Sequence, residues 1–114
     1  MFHYTLVTTT SAVALVQPKP NAACDWYGIC ATSMEAAGAM FVKLWWSGNS
    51  NTAPTLGTTL PDITISIPTT GLIQTFQWPD VHPGLLYVAV TKLNIGTDTT
   101  VLATGGGVVT LFLE

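Results

Sequence analysis

The fold is decided by the C-terminal stretch Gly105-Gly106-Gly107-Val108-Val109-Thr110-Leu111-Phe112-Leu113-Glu114, which is apolar on both faces of an extended chain. Alternate side chains of a strand point to opposite sides of the sheet. One side receives Val109, Leu111 and Leu113, and the other receives Val108 and Phe112. Both faces of this strand are therefore expected to pack against apolar surfaces that exclude water. A domain core supplies the first, and another subunit most simply supplies the second.

The first residues of the chain carry a similar pattern. In extended geometry Phe2, Tyr4 and Leu6 face one way and Val7 faces the other. Chain ends are usually poorly ordered unless they are tied down, and these residues are too apolar for a free tail. We therefore predict assembly into an oligomer and an N-terminal contact arm at about residues 1–8. The candidate interface residues at the two ends are Phe2, Tyr4, Leu6, Val108 and Phe112.

The amino-acid composition indicates one all-β domain. With 114 residues the chain has room for a single core. Thr, Gly and Pro are frequent while charged helix formers are scarce, which is typical of strands joined by turns. Only 8 % of the residues are charged and 48 % are hydrophobic, against about a quarter charged in a typical globular protein. Such a surface is either covered by neighbours in an assembly or, in a secreted protein, protected by other means.

Turn-forming residues divide the chain into short segments of strand character. The clearest alternation is Asp62-Ile63-Thr64-Ile65-Ser66-Ile67, bounded by Pro61 and Pro68, with three Ile on one face. The predicted strands lie near residues 3–8, 11–17, 26–33, 39–46, 62–67, 72–78, 85–92 and 107–113. They predict a single domain over residues 1–114, an eight-stranded antiparallel β-sandwich that is jelly-roll-like. Periodicity leaves jelly-roll and immunoglobulin-like connectivity open.

The few charges argue against two classes of partner. The chain has no Arg, its three Lys residues (Lys19, Lys43 and Lys92) are far apart, and the formal net charge is -3. Nucleic-acid binding needs several cations along the phosphates, so we expect no nucleic-acid partner. No apolar run approaches the roughly 18 to 20 residues that span a bilayer, so we expect no membrane partner. The opening residues also lack the basic and apolar regions of a signal peptide.

The two cysteines, Cys24 and Cys30, are separated by a segment of strand character. Six extended residues span about 20 Å, whereas the Cα atoms of a disulfide lie within about 7 Å. We therefore expect no bridge between them and a reduced compartment. If the strand is unbroken both lie on one face as small buried hydrophobic residues, the alternative being reactive or intermolecular thiols.

The sequence signals no catalytic, metal or cofactor site. Its two histidines, His3 and His82, do not stand at metal-ligand spacing. Asp80-Val81-His82 puts two polar side chains on one face, but Pro79 and Pro83 bracket it as in a rigid turn. The C-terminal glycines precede a strand and no Lys-Ser/Thr, so we expect them to allow a bulge or a close subunit approach. We predict that the protein is not an enzyme.

The adjacent Trp45 and Trp46 fall in one predicted strand, so one of them faces away from the core. We assign Trp46 to the core. Trp45 is either a subunit or partner contact, and hence the last candidate interface residue, or it is partly buried at a sheet edge. A sugar-binding platform is a third alternative, because exposed indoles stack on sugar rings. The long connection over residues 48–61 that follows is a candidate contact loop.

Three segments in order resemble small virion proteins of tailed bacteriophages. They are Phe41-Val42-Lys43-Leu44-Trp45, Ala53-Pro54-Thr55-Leu56-Gly57-Thr58-Thr59-Leu60-Pro61, and the alternating Ile63, Ile65 and Ile67-Pro68. In that family a strand ending in Val-Lys-Leu-aromatic is followed by Ala-Pro-Thr-x-Gly-Thr and a strand that begins after Pro. The resemblance covers about residues 28 to 114, and its motifs are structural rather than catalytic.

The resemblance implies a non-enzymatic virion structural protein. The role we favour is a capsid decoration or cement protein, made in the host cytoplasm and placed on the capsid exterior. It would form a homo-oligomer, with a trimer suited to a threefold position, and would clamp neighbouring copies of the major capsid protein. The alternative is a tail, baseplate or fibre component with a host-glycan-binding role. A hydrolase or lectin-like domain outside any virus is the rival from another class.

Overall fold

The computed structural model describes residues 2–7, 14–16, 26–33, 40–46, 52–68, 72–80, 85–92 and 107–113, with the side chains of 2–7, 14–16 and 72–80 left aside. Within these ranges the chain is all-β, as predicted, and contains no helix. The strands are β1 (Phe2–Val7), β2 (Ala14–Val16), β3 (Trp26–Ser33), β4 (Met40–Trp46), β5 (Ile63–Ile67), β6 (Leu72–Asp80), β7 (Leu86–Thr91) and β8 (Gly107–Leu113). The bounds of β3 and β8 match the predicted ones, those of β4 and β5 differ by one residue at the start, and β7 is one residue shorter at each end. Cys24, His82, Gly105 and Gly106 lie outside the described residues.

The strands form two antiparallel sheets. In one sheet the order is β1-β8-β3-β6, and in the other it is β2-β7-β4-β5. Apolar side chains from β3 and β8 of the first sheet and from β4, β5 and β7 of the second form one buried cluster, so the inner faces of the two sheets pack together. This packing explains the period-2 pattern of β8, in which every second residue is buried.

The core contains the residues that the alternation assigned to it. Val42, Leu44 and Trp46 of β4 are buried together with Val88 and Val90 of β7. The rings of Trp26 and Trp46 pack at a centroid distance of 6.3 Å and an interplanar angle of 49°, which joins the two sheets at one end. The placement of Trp46 in the core is confirmed.

Strand β3 changes face near its start. The register of β3 against both β6 and β8 shifts between Trp26 and Gly28, which marks a β-bulge. Because of the extra residue, Trp26 and Ile29 are both buried although they are an odd number of positions apart. The Trp26 indole Nε1 donates a hydrogen bond to the Gly28 carbonyl oxygen at 2.6 Å. Cys30 carries a free thiol and is half-buried, so it is not the fully buried hydrophobic residue that we expected.

Gly107 begins β8 at a close approach between the two sheets. A Cβ at this position would collide with the sulfur of Met40, whose side chain is fully buried, and would lie 3.3 Å from the Thr32 carbonyl oxygen. The sulfur cannot withdraw easily from a close-packed interior. We expected the glycines here to permit a bulge or the approach of another subunit, whereas Gly107 permits the approach of Met40 of the same chain.

We expect Gly107→Ala to lower the free energy of unfolding by about 1–3 kcal/mol, because overpacking at a closed site forces side chains from their rotamers. Denaturant unfolding measures the effect. In a Met40→Ala background the penalty should shrink, because the colliding sulfur is absent. An equal penalty in both backgrounds would contradict the steric explanation.

Candidate functional site

The outer face of the β1-β8-β3-β6 sheet carries no Asp, Glu, Lys or Arg at any register-matched position. On β8 it presents Val108, Thr110 and Phe112, all half-buried. On β3 the half-buried Cys30 and the exposed Thr32 lie opposite Thr110 and Val108. We call this surface the uncharged face.

Strand register extends the uncharged face to both neighbouring strands. The β1 positions opposite Val108, Thr110 and Phe112 are Val7, Thr5 and His3. The β6 positions opposite Gly28 and Cys30 are Thr75 and Ile73. Asp, Glu, Lys and Arg are absent from all of these positions. A continuous sheet face without charged residues is a common property of surfaces that bind another protein.

The register also places the predicted N-terminal interface residues. Phe2, Tyr4 and Leu6 pair with Leu113, Leu111 and Val109, respectively. Those three residues of β8 are completely buried in the core. Strand β1 thus runs beside a strand whose alternate residues form part of the core.

The segment predicted as a contact arm lies in a sheet. Residues 2–7 form strand β1 and pair with β8 over their whole length. Of the predicted interface residues, Val108 and Phe112 lie on the uncharged face.

Trp45 lies on the opposite side of the molecule from the uncharged face. It points away from the core, as predicted, but only 2 % of its surface is exposed. It packs with Tyr87 and Ala89, and Leu56 and Leu85 cover this small cluster. Strand β4 is central in its sheet, between β7 and β5. The expectations of an exposed contact and of partial burial at a sheet edge are therefore both wrong for the Trp45 side chain.

The same outer face buries a charged residue. Lys43 has no exposed surface, although the alternation of β4 assigned it to the side opposite the core. Thr91, which lies on the same face of the neighbouring strand β7, is also fully buried. The outer face of the β2-β7-β4-β5 sheet is thus covered around Lys43, and the sequence pattern alone gave no sign of it.

The segment over residues 52–62 folds into a compact loop above Trp45. The Thr55 carbonyl oxygen accepts hydrogen bonds from the amides of Thr58 at 3.1 Å and Thr59 at 2.9 Å. The Thr55 amide donates to Oγ1 of Thr59 at 3.1 Å. Gly57 has a φ of 88°, a conformation that glycine adopts without a steric penalty. These contacts close a tight turn whose tip is anchored by its own threonines.

Three hydrogen bonds attach the loop to the end of β4. Trp45 Nε1 donates to the Thr59 carbonyl oxygen at 3.0 Å. The Asp62 amide donates to the Leu44 carbonyl oxygen at 2.9 Å. The Trp46 amide donates to Oδ2 of Asp62 at 2.8 Å. The predicted contact loop is therefore held in a fixed position beside the sheet.

A cavity of about 280 Å³ opens between this loop and the end of β4. We call it the loop cavity. Its principal lining residues are Trp45, Trp46, Pro54, Thr59, Leu60 and Asp62. The Asp62 carboxylate is exposed, and Leu60 is the one large hydrophobic side chain in the described ranges that is well exposed, at 68 %. The lining thus includes an acidic residue and an exposed apolar one.

Sequence analysis missed the role of Asp62. We counted it as the first residue of an alternating strand, whereas it precedes β5 and its side chain binds the β4 backbone. The Leu44–Ile63 pair brings Asp62 level with the end of β4. An Asp placed between Pro61 and an alternating strand is the signal for such a contact, because Asp side chains often bind nearby backbone amides.

Searches for metal and membrane sites gave negative results in the described ranges. No three His, Cys, Asp or Glu side chains there are grouped to hold a metal ion. The same ranges contain no helix of the length and apolar character needed to cross a bilayer. The chain matches no protein-family model, no curated protein and no solved structure in the three comparisons. Function is therefore inferred from the uncharged face and the loop cavity.

We expect Trp45→Phe to lower the free energy of unfolding by about 1–2 kcal/mol, because the indole donor to Thr59 is lost and the covered cluster loses volume. Chemical denaturation measures this loss, and limited proteolysis at the loop reports its release. Thr58→Ala is the control, since it keeps the backbone donor of the turn and changes an exposed side chain. Equal effects of the two substitutions would contradict the anchoring role of Trp45.

Proposed function

We propose that the chain is an eight-stranded jelly roll. The strand pairs β1·β8, β2·β7, β3·β6 and β4·β5 alternate between the two sheets. This alternation is what results when a long ribbon of antiparallel strand pairs is rolled into two layers. The same pairing supports jelly-roll over immunoglobulin-like connectivity, since the latter places sequential strands as neighbours more often. Jelly rolls are common in viral capsid and lectin domains.

We propose that the protein is a non-enzymatic structural protein of a bacteriophage virion, a capsid decoration or cement protein. The observation that carries the proposal is the uncharged face, on a chain in which only 8 % of residues are charged. Contact with water over a whole uncharged sheet face is unfavourable. Burial of that face against a second protein lowers the free energy. The resemblance to small tailed-phage virion proteins supports the viral setting.

The uncharged face is the proposed contact between copies of the chain, in a homotrimer. Each copy would cover Val108 and Phe112 of its neighbour. The apolar side chains on the outer face of β8 would then be buried, as those on its inner face are. The trimer would then sit on the capsid exterior at a junction of major capsid protein subunits. Apolar burial contributes about 25 cal/mol per Å². Three linked contacts raise the effective affinity well beyond that of one.

Binding to capsids tests the role. Purified protein is mixed with heads of the corresponding phage that were assembled without it, followed by sedimentation and particle imaging. We expect occupancy of regular lattice sites and an increase in the temperature at which the heads burst. Attachment to tails instead, or no attachment to particles, would overturn the decoration role. The first of these outcomes would support the tail, baseplate or fibre alternative.

We expect Phe112→Asp to weaken self-association at least tenfold, because a carboxylate on the uncharged face must be desolvated when the contact forms. Analytical ultracentrifugation measures the oligomer. Ser66→Asp is the matched control, since it adds the same charge to an exposed position on the outer side of the other sheet. Circular dichroism checks that both variants fold. Equal association of both variants and the parent would contradict the assignment of the subunit contact to this face.

A further inference from the structure

We infer that the edge strand β5 pairs with β5 of a second copy of the chain, antiparallel and about a twofold axis at Ile65. Each residue from Ile63 to Ile67 would then lie opposite a residue of the same chemical type. The pairing would join two β2-β7-β4-β5 sheets into one continuous sheet. This inference goes beyond the proposed function and does not depend on it, because the uncharged face belongs to the other sheet.

One edge of β5 is open in the part of the chain that the structure describes. Strand β4 pairs with β5 on one side, and no described strand pairs with it on the other. The side chains agree with an edge position. Ile63, Thr64 and Ile65 are half-buried and Ser66 is exposed, whereas every residue of β7 in the same sheet is buried. An edge strand presents a row of backbone N–H and C=O groups to which an extended segment can add.

Strand β5 lacks the features that usually protect such an edge. Proteins block edge strands with charged side chains, Pro or bulges. Residues 63–67 include no charged residue and no Pro, and their register with β4 is regular throughout. Ile and Thr are also among the residues that favour strands most. Asp62 and Pro68 stand just outside the strand, so they limit the length of an added segment and leave β5 itself accessible.

The order of residues in β5 selects a second copy as the occupant. Ile-Thr-Ile-Ser-Ile alternates Ile with a hydroxyl residue, so its pattern is the same in both chain directions. An antiparallel copy centred on Ile65 places Ile opposite Ile on the core side and Thr64 opposite Ser66 on the outer side. An axis at Thr64 or at Ser66 would leave residues at one end of the strand without a strand partner. An axis between two residues would place Ile opposite a hydroxyl residue and reverse the faces.

The half-buried isoleucines gain apolar contact in this pairing. Ile63 and Ile65 pack against the core cluster but are only partly buried, whereas Ile67 is already fully buried. Directly opposite side chains of neighbouring strands have Cβ atoms about 4.5–5.5 Å apart. Ile65 would therefore contact Ile65 of the other copy at the axis. Both side chains would lose contact with water, which stabilises the pair.

The charges near β5 do not oppose the pairing. The register places Asp62 of one copy opposite Pro68 of the other, at the two ends of the paired segment. The two Asp62 residues are then about 20 Å apart, beyond the screening length of about 8–10 Å in ordinary salt. The paired strands are short compared with the roughly 20–30 residues a side of a stable interface. The contact is therefore weak alone and gains strength where a second contact already links the chains.

Cysteine cross-linking tests the axis. Cys24 and Cys30 are first replaced by Ser, which leaves a chain without thiols, and Ile65→Cys is then introduced. Directly opposite Cα atoms of antiparallel strands lie about 4.5–5.5 Å apart, which is within the reach of a disulfide. We expect a disulfide-linked dimer after mild oxidation, measured by non-reducing electrophoresis.

Ile63→Cys in the same thiol-free chain is the matched control. It replaces the same residue type on the same face of the same strand, and Ile63 is half-buried as Ile65 is. In the proposed register the two copies of residue 63 lie about 13 Å apart, too far for a disulfide. We expect its cross-linking to be at least tenfold slower. Equal rates at the two positions, or no dimer from Ile65→Cys, would overturn the inference.

A pair of charge variants tests the same register without new thiols. Both carry Thr64→Glu, which lies opposite Lys43 within the chain, and they differ at Ser66. Ser66→Lys creates two Glu–Lys pairs between the copies, whereas Ser66→Glu creates two Glu–Glu pairs. Opposite charges stabilise a cross-strand pair and like charges destabilise it. At up to about 1 mM chain, analytical ultracentrifugation should show dimerisation of the Glu–Lys variant at least tenfold tighter than that of the Glu–Glu variant.

Net charge is controlled by Thr64→Glu combined with Thr58→Glu. This variant has the same net charge as the Glu–Glu variant, but its second carboxylate is at an exposed loop position. We expect its dimerisation to lie between the other two. Circular dichroism checks that all three variants fold. Dimerisation as weak as that of the Glu–Glu variant would reduce the effect to net charge and contradict the register.

The outcome is separable from that of the trimer and capsid experiments. The same measurements are made with Phe112→Asp added, which removes the contact proposed for the uncharged face. Cross-linking through Ile65→Cys in that chain would sustain the β5 contact even if the protein does not bind heads. Its failure would leave the uncharged face untouched, since that face is on the other sheet. Ser66→Asp remains a control for the uncharged face, because its carboxylate would lie opposite a Thr64 hydroxyl rather than another charge.

Discussion

Strand β8 pairs with β1 on one side and β3 on the other, and this central position leaves it no edge in water. Its inward residues Val109, Leu111 and Leu113 fill the core. Its outward residues determine the chemical character of the outer face of that sheet. Because they are Val, Thr and Phe, and because the paired positions on β1, β3 and β6 carry no Asp, Glu, Lys or Arg, this face of the sheet lacks the charged groups that usually solvate a protein surface.

The elements that could be predicted from sequence are those with strict alternation and clear stops. β5 stands between Pro61 and Pro68, and β8 follows glycines, so period and boundary agree and the predicted ranges are accurate within one residue. The core membership of Val42, Leu44 and Trp46 followed from the same rule. The alternation was sufficient to predict these core residues, because each strand packs one face against the core whichever strands lie beside it.

The errors arose where a face depends on tertiary partners. Alternation assigned Lys43 and Trp45 correctly to the side away from the core, yet it cannot tell whether that side is covered, and both are buried. The loop cavity was equally hidden, because it depends on an Asp62 contact across a long connection.

The uncharged face and the loop cavity differ in chemistry. An uncharged sheet face contributes little electrostatic orientation, so a specific contact there must depend on shape and on the hydroxyls of Thr110 and Thr32. The loop cavity has the opposite character, since the Asp62 carboxylate is held there by the Trp46 amide. The two surfaces belong to different sheets, so a substitution in one is expected to leave the chemistry of the other unchanged.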